Sequence, residues 1–167
     1  MQFALTTLLA ATAVLAAPSK TTGDSPSLVR REASTHTVVV SDEKFLPRRT
    51  EAEIGDVVLF VFLKGKHAVL ESSYNSPCAY LEGGFSSGTL DITNPAEAES
   101  FYIEIMDDEP IWFYNGAEKR CHERGIVGAI NSPESREKSV EKLEKAAKKK
   151  SITQSITFSV GVTWVEE

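Results

Sequence analysis

Short apolar or β-branched runs separated by turn residues fill the middle of the chain, from Thr35 to Asn131. Strands at such spacing, with few helical stretches between them, predict an all-β, antiparallel sandwich of roughly 100 residues. One run is apolar throughout, which predicts a strand buried on both faces. The runs are Thr37–Val40, the fully apolar Val57–Leu63, Phe101–Ile105, Ile111–Tyr114 and Ile126–Ile130.

The first 31 residues have the pattern of targeting and processing segments. Residues 1–16 combine an apolar run with a small-residue cleavage site, which predicts a secretory signal peptide and an extracellular protein. Residues 17–31 are rich in Ser, Thr, Gly and Pro and are expected to be a disordered propeptide. They end in Arg30-Arg31, followed by Glu32-Ala33, which resembles a dibasic processing site. The alternative is an uncut flexible tail.

The charge of the chain excludes one class of partner. With 18 basic and 24 acidic residues the net charge is −6, whereas a protein that binds nucleic acid needs a basic face. Residues 32–131, the predicted domain, carry most of the excess acid, which favours a basic partner. Beyond the signal peptide no apolar run has the length of a membrane span.

The predicted compartment indicates the redox state of the two cysteines, Cys78 and Cys121. In a secreted protein we expect a disulfide rather than a metal pair or free thiols. The bond would be worth about 4 kcal/mol on the chain-entropy model. Three histidines, without a nucleophile elbow or a phosphate-binding loop, offer no catalytic constellation, so we do not expect an enzyme.

Several stretches resemble one family, the fungal secreted cupredoxin-like proteins (the plastocyanin-like, serine-rich extracellular group). The resemblance covers about residues 35–131 and implies a cupredoxin-like antiparallel Greek-key β-sandwich and the Cys78–Cys121 bond. The stretches are His36–Val40, Gly55–Phe62, Gly65–Val69 running on to Ser76-Pro77-Cys78, Gly83–Gly88, and Pro110–Tyr114 with Cys121, Gly125 and Val127–Asn131.

The resemblance also implies where a blue-copper site would lie. His67 occupies the position of the first imidazole, but Asn115 stands at the thiolate position, Arg120 at the second imidazole and Ile126 at the axial Met. Ile is tolerable, because the axial bond is weak. Asn does not donate like a thiolate, and Arg places a permanent cation where a divalent cation belongs. We therefore expect no copper cofactor, and a non-redox binding module for an unknown protein or cell-wall partner.

Three alternatives stay open. One extra residue after Cys121 would allow a loop to slip, so that His67 and His122, with Glu118 or Glu123, form a weak Cu(II) or Zn(II) site. A residual electron-transfer cupredoxin is the second. The third is a copper oxygenase in which further trimming makes His36 the N-terminus, although a polar strand residue is the expected role of His36.

The rest of the chain departs from the family. Residues 132–150 predict a charged helix beginning at Ser132-Pro133, either a solvated connector or docked on the acidic core. Residues 151–167 alternate apolar and polar side chains, which predicts an amphipathic strand. It would pair with an edge of its own sandwich or with a second copy of the chain. In the aromatic run Trp112–Tyr114 we expect two of the three rings in the core rather than on a carbohydrate-stacking surface.

Overall fold

The protein is described by a computed structural model that covers residues 31–94, 96, 99–133, 137–161, 163 and 164. The chain divides after Arg31 into units 1–31 and 32–167. The predicted signal peptide and residues 17–30 lie outside the described residues, and the fold below is that of the second unit. None of the helices in the described part is long and apolar enough to span a bilayer.

The described residues form thirteen strands and two helices. In chain order these are β1 (Thr35–Val40), β2 (Phe45–Leu46), β3 (Arg49–Thr50), β4 (Val57–Phe62), β5 (Gly65–His67), β6 (Val69–Ser72), β7 (Ser86–Ser87), β8 (Leu90–Ile92), β9 (Ser100–Glu104), β10 (Ile111–Asn115), α1 (Arg120–Arg124), β11 (Val127–Ile130), α2 (Val140–Ala147), β12 (Ser159–Val160) and β13 (Thr163–Trp164).

Two sheets pack as a cupredoxin-like β-sandwich, which confirms the predicted fold class. The first sheet has the order β13-β9-β4-β1-β2, the second has the order β12-β7-β6-β10-β11-β3, and β5 pairs with β8 in a small third sheet. Most pairs are antiparallel, as predicted, but β1 runs parallel to β4, and β11 parallel to β3. The sheets are therefore mixed. Two parallel strands are separated by a long connection in the sequence, so no local pattern predicts that they pair.

The main core lies between the two sheets. Its aromatic centre is Phe60, which stacks on Phe101 at 4.9 Å and meets Phe113 edge-on at 5.3 Å between ring centroids. The strand β4 alternates between fully buried side chains and half-buried ones. The prediction that this strand is buried on both faces is therefore wrong, because its outer side has no packing layer that covers it completely.

A second core lies on the outer face of the second sheet, where helix α2 packs. Trp112 and Tyr114 face Leu143 there, whereas Phe113 between them faces the main core. All three rings are buried, so the expectation of two was wrong. The reason is that β10 is covered on both sides, by the first sheet and by α2. Cys78 and Cys121 form the predicted disulfide within this second core.

The helix of the C-terminal extension is shorter than predicted. It begins at Val140, and its N-cap is Ser139, whose hydroxyl accepts a hydrogen bond from the Lys142 amide. Ser132 and Pro133 have no helical structure, and residues 134–136 lie outside the described part. The helix starts where its docking stripe starts, since the polar residues before it have no apolar face to bury. It is docked on the sandwich, and Arg48 pairs with its Glu144 at 2.8 Å.

The last segment returns to its own sandwich, but it is not one amphipathic strand. The two short strands β12 and β13 pair with β7 and β9, at one edge of each sheet. Between Ser151 and Phe158 the chain has no strand, and Ile152 and Phe158 are exposed while Thr153 is buried. The predicted face is wrong here, because hydrogen bonds override the alternation: the carbonyl of Gln154 accepts from the Tyr114 hydroxyl at 3.1 Å.

Candidate functional site

The retained imidazole, His67, lies at the end of β5 and is completely buried. Its Nδ1 is 3.3 Å from the amide nitrogen Nδ2 of Asn115. An amide NH₂ only donates, so Nδ1 is the acceptor and the ring proton sits on Nε2. Nε2 points toward the Asp42 carboxylate at 3.5 Å without forming a hydrogen bond. The ring nitrogen that faces the thiolate position is therefore already used.

Asn115, at the thiolate position, is also completely buried, at the end of β10. Its Oδ1 accepts hydrogen bonds from the backbone amides of Ala68 at 3.2 Å and Ala117 at 3.1 Å. Two N–H donors on one atom identify that atom as the oxygen, which leaves the NH₂ for the imidazole. The side chain thus satisfies three buried polar groups. It therefore connects β10 to Ala68, which directly precedes β6, and to Ala117, which lies before α1.

Arg120, at the second imidazole position, begins α1 and is only 8% exposed. One of its terminal nitrogens pairs with the Asp42 carboxylate at 2.9 Å, and the other donates to the Asp42 backbone carbonyl at 3.2 Å. Arg124 donates to the same carbonyl at 3.0 Å. The Nε of Arg120 itself is buried without a hydrogen-bond partner. Asp42 is therefore the ion-pair partner of the guanidinium next to His67.

The third substituted position, Ile126, is 2% exposed and packs in the main core. Its backbone connects the other two: its amide donates to the Arg120 carbonyl at 3.2 Å, and its carbonyl accepts from the Asn115 amide at 2.9 Å. Asn115 and Arg120 thus lie beside His67, and Ile126 is linked to both of them through backbone hydrogen bonds.

The electrostatics of the cluster disfavour positive charge on the imidazole. Burial lowers the pKa of His67 below its ordinary value, and the nearby Arg120 guanidinium lowers it further, against the opposing effect of Asp42. The ring is therefore neutral at neutral pH. The same burial and the same guanidinium act against a metal cation placed there, because both effects penalise any net positive charge.

The residues around His67 do not fit copper. A blue-copper centre needs two imidazoles and a thiolate in a plane. This cluster offers one imidazole whose inward nitrogen accepts a hydrogen bond from Asn115, an amide oxygen held by two backbone amides, and the Arg120 guanidinium. Among the described residues, His, Cys, Asp and Glu form no group of three that could hold a metal ion.

His122 does not lie beside His67 in this structure, so the positions of the two rings give the alternative of a shared metal site no support. Its ring Nδ1 lies 2.7 Å from the Thr153 hydroxyl, which also accepts a hydrogen bond from the His122 backbone amide. Residues two apart on a helix point in different directions. Arg120 faces Asp42, and His122 faces the C-terminal segment. The loop has not slipped, and Glu123 pairs with Lys119 at 3.0 Å instead.

His36 has the polar strand role that we expected. It lies in β1 opposite Val58, and its Nε2 is 2.8 Å from the buried Asp56 carboxylate. A copper site formed by the amino group and the imidazole of His36 would require the chain to begin at His36. The hydrogen bond that holds Ser34 to β4 would then be lost.

Asp42 is the residue of this cluster that the sequence does not reveal. It lies 78 positions before Arg120, in a Ser-Asp-Glu turn that looks like any solvated turn. A buried arginine needs an acidic partner. Arg120 at this position therefore indicated that an acidic residue lies nearby, but not that this residue is Asp42. Gly65 permits the approach, since a Cβ there would collide with the Asp42 carboxylate.

The chain has two curated relatives from one fungus, Arthroderma benhamiae. It is 36% identical over 93 residues to an "Extracellular serine-rich protein", a match that covers 55% of this chain and 36% of the relative. It is 31% identical over 106 residues to "Probable GPI-anchored cupredoxin-1", covering 62% of this chain and 54% of the relative. The chain thus spans between about a third and a half of the length of these relatives. No family model matches it.

Solved structures with a similar arrangement include a purple cupredoxin from Nitrosopumilus maritimus, with a TM-score of 0.40 and 12% identity, covering 57% of this chain and 96% of that one. Another is plastocyanin from Dryopteris crassirhizoma, with a TM-score of 0.40 and 18% identity, covering 56% and 96%. The two fungal relatives confirm the resemblance implied by the motifs. This chain is therefore similar in sequence to fungal cupredoxin-like proteins over a little more than half of its length.

Proposed function

We propose that this chain is a secreted, non-enzymatic binding module that has the cupredoxin fold without its copper-based electron transfer. The observation that carries the proposal is the buried cluster of Asn115, His67, Arg120 and Asp42, in which an amide and a guanidinium occupy the thiolate and imidazole positions. Each side chain of the cluster already has a hydrogen-bond or charge partner within the protein.

Copper would have to displace these partners. Binding at His67 Nδ1 requires the Asn115 amide to turn away, which would leave the Ala68 and Ala117 amides without an acceptor. Each buried donor left unpaired costs about 1–3 kcal/mol. The Arg120 charge would then repel the ion at close range. These costs oppose a redox site, because no copper–thiolate bond would offset them.

Secretion is supported by the relatives and by the disulfide. One relative is named extracellular and the other GPI-anchored. The Cys78–Cys121 bond lies in the second core, and such bonds persist in oxidising compartments. The pattern of residues 1–16 points the same way. We propose that the protein works outside the cell, at a surface, in a matrix or facing a host.

The charge distribution favours a basic partner. A groove of about 460 Å³ beside β9 and β10 is lined by several acids, among them Glu71, Glu104, Asp107 and Glu109, together with Met106. Met106 is 74% exposed, so an apolar contact lies next to the acidic wall. A cationic protein segment or a positively charged wall component would match this combination.

A copper titration of the secreted protein tests the proposal. We expect no band near about 600 nm, which is where thiolate-to-copper charge transfer would absorb, and no stoichiometric copper after desalting. The variants His67→Gln and His122→Ala should then give the same copper content as the wild type. A blue band in the wild type would contradict the proposal. One bound Cu(II) that both variants lose would instead establish metal capture.

A further inference from the structure

The start of the folded unit is held by a buried carboxylate. The backbone nitrogen of Ser34 donates to Oδ1 of Asp56 at 2.8 Å, and the Ser34 carbonyl accepts from the Val57 amide at 2.9 Å. The next residue, Thr35, begins β1, which runs parallel to β4 over six residue pairs. Ser34 is thus the first residue that these hydrogen bonds tie to the first sheet.

Asp56 is well placed to receive a positive charge. It is 2% exposed, and its other oxygen, Oδ2, accepts from the Glu53 amide at 3.0 Å and lies 2.8 Å from His36 Nε2. A buried carboxylate is costly unless hydrogen bonds and an opposite charge compensate it. The atom that Ser34 contributes to Oδ1 is a backbone nitrogen, which becomes an ammonium if the chain begins at that residue.

The sequence before Ser34 provides a route to such a terminus. Arg30-Arg31 is a dibasic pair, and Glu32-Ala33 is the single dipeptide between it and Ser34. The second unit begins at Glu32, directly after the pair. Arg31, Glu32 and Ala33 are exposed and have no regular secondary structure, as a protease substrate requires.

We propose that the mature protein begins at Ser34 and that its new α-ammonium forms an ion pair with Asp56. A dibasic-specific endoprotease hydrolyses the Arg31–Glu32 bond: water supplies the oxygen of the Arg31 carboxylate, and Glu32 becomes the amino terminus. A dipeptidyl aminopeptidase then hydrolyses the Ala33–Ser34 bond with a second water and releases the dipeptide Glu-Ala. Both steps are hydrolyses, so they need no oxidant or reductant.

The geometry accommodates the ammonium without rearrangement. One of its three N–H groups keeps the bond to Asp56 Oδ1, and because Ser34 is exposed the other two reach water. The bond changes from a neutral amide donor to a charged donor, which is the stronger kind. Processing therefore fastens the beginning of β1. Removal of Ser34-Thr35 as well, which would expose His36, would lose both the Asp56 and the Val57 bonds.

The full chain should be expressed in a secreting fungal host and its product analysed by intact mass and amino-terminal sequencing. The expected terminus of the wild type is Ser34. The matched control is Ala33→Gln, which removes the alanine that the dipeptidyl aminopeptidase recognises and should leave Glu32 as the terminus. We expect the wild type to melt about 3 °C or more above this control. Asp56→Asn in both backgrounds should abolish the difference.

A second measurement does not depend on Asp56→Asn being secreted. An ion-paired ammonium resists acylation, so at neutral pH the α-amine of the wild type should react with an N-hydroxysuccinimide ester about tenfold more slowly than that of the control, as for one unit of pKa. A wild-type terminus at Glu32 or beyond Ser34 would overturn the proposal. A Ser34 terminus with the control's melting temperature and reactivity would overturn the ion pair.

Discussion

Replacing Asn115 by alanine should destabilise the protein strongly, although the site binds no substrate in this account. The truncation removes the acceptor of the Ala68 and Ala117 amides and the donor to His67 Nδ1, all in a fully buried place. Each orphaned buried group costs about 1–3 kcal/mol. Allowing for local relaxation, we expect the free energy of unfolding to fall by about 3–5 kcal/mol.

Urea unfolding followed by circular dichroism measures this loss. The matched control is Asn75→Ala, the same chemical change at an exposed asparagine, for which we expect about 0.5 kcal/mol or less. Asn115→Asp adds a second readout. It keeps the oxygen that the two amides need, but it places a carboxylate beside His67, so the pKa of His67 measured by NMR should rise.

An Asn115→Ala variant within 1 kcal/mol of the wild type would refute this reasoning. It would mean that the amide does not hold the cluster together. An unchanged His67 pKa in Asn115→Asp would show that the two side chains are not in contact.

Three further outcomes follow from the same structure. Because the folded-state pKa of His67 is depressed, unfolding by urea should become easier as the pH falls below about 6.5, where the unfolded chain takes up a proton first, and His67→Gln should flatten this dependence. Replacing Cys78 and Cys121 by alanine should cost about 4 kcal/mol in the same assay, since the bond joins positions 43 apart. Leu143→Ala should cost about 2–5 kcal/mol and increase amide exchange along α2, because Leu143 is completely buried against the second sheet.

Local pattern was enough to predict the strands of the sandwich. The β-branched and apolar runs became β1, β4, β9, β10 and β11 with boundaries within a residue or two, because each run has at least one buried face. The parallel pairings and the short strands β2 and β3 could not be predicted this way. Strands of two residues are too short to show a period, and the partner of β3, β11, lies far away in the chain.

The sequence indicated where the candidate site lies, but not which side chains pair with each other there. The motif order located His67, Asn115, Arg120 and Ile126, and the structure brings these four together. Asp42 escaped notice because its role exists only once the chain has folded. The direction of the His122 side chain could not be predicted for the related reason that a five-residue helix, α1, decides which way each side chain points.

The C-terminal extension shows the limit of periodicity. The stripe of Val140, Leu143 and Ala147 is buried, as an amphipathic helix requires. The alternation from Ile152 onward is equally regular, yet it does not decide burial there. Thr153 is drawn inward by His122, and the neighbouring backbone is held by the Tyr114 hydroxyl. Side-chain hydrogen bonds to the folded domain outweigh the burial of one isoleucine.

In this protein an amide and a guanidinium stand where cupredoxins have copper ligands, so putting the ligands back is a direct experiment. The wild type and the triple variant Asn115→Cys, Arg120→His, Ile126→Met should be loaded with Cu(II) side by side and examined by visible absorbance and metal analysis. We predict a colourless wild type without stoichiometric copper, and an intense charge-transfer band in the variant. A wild type that itself turns blue, or that cycles an electron reversibly with bound copper, would contradict the account.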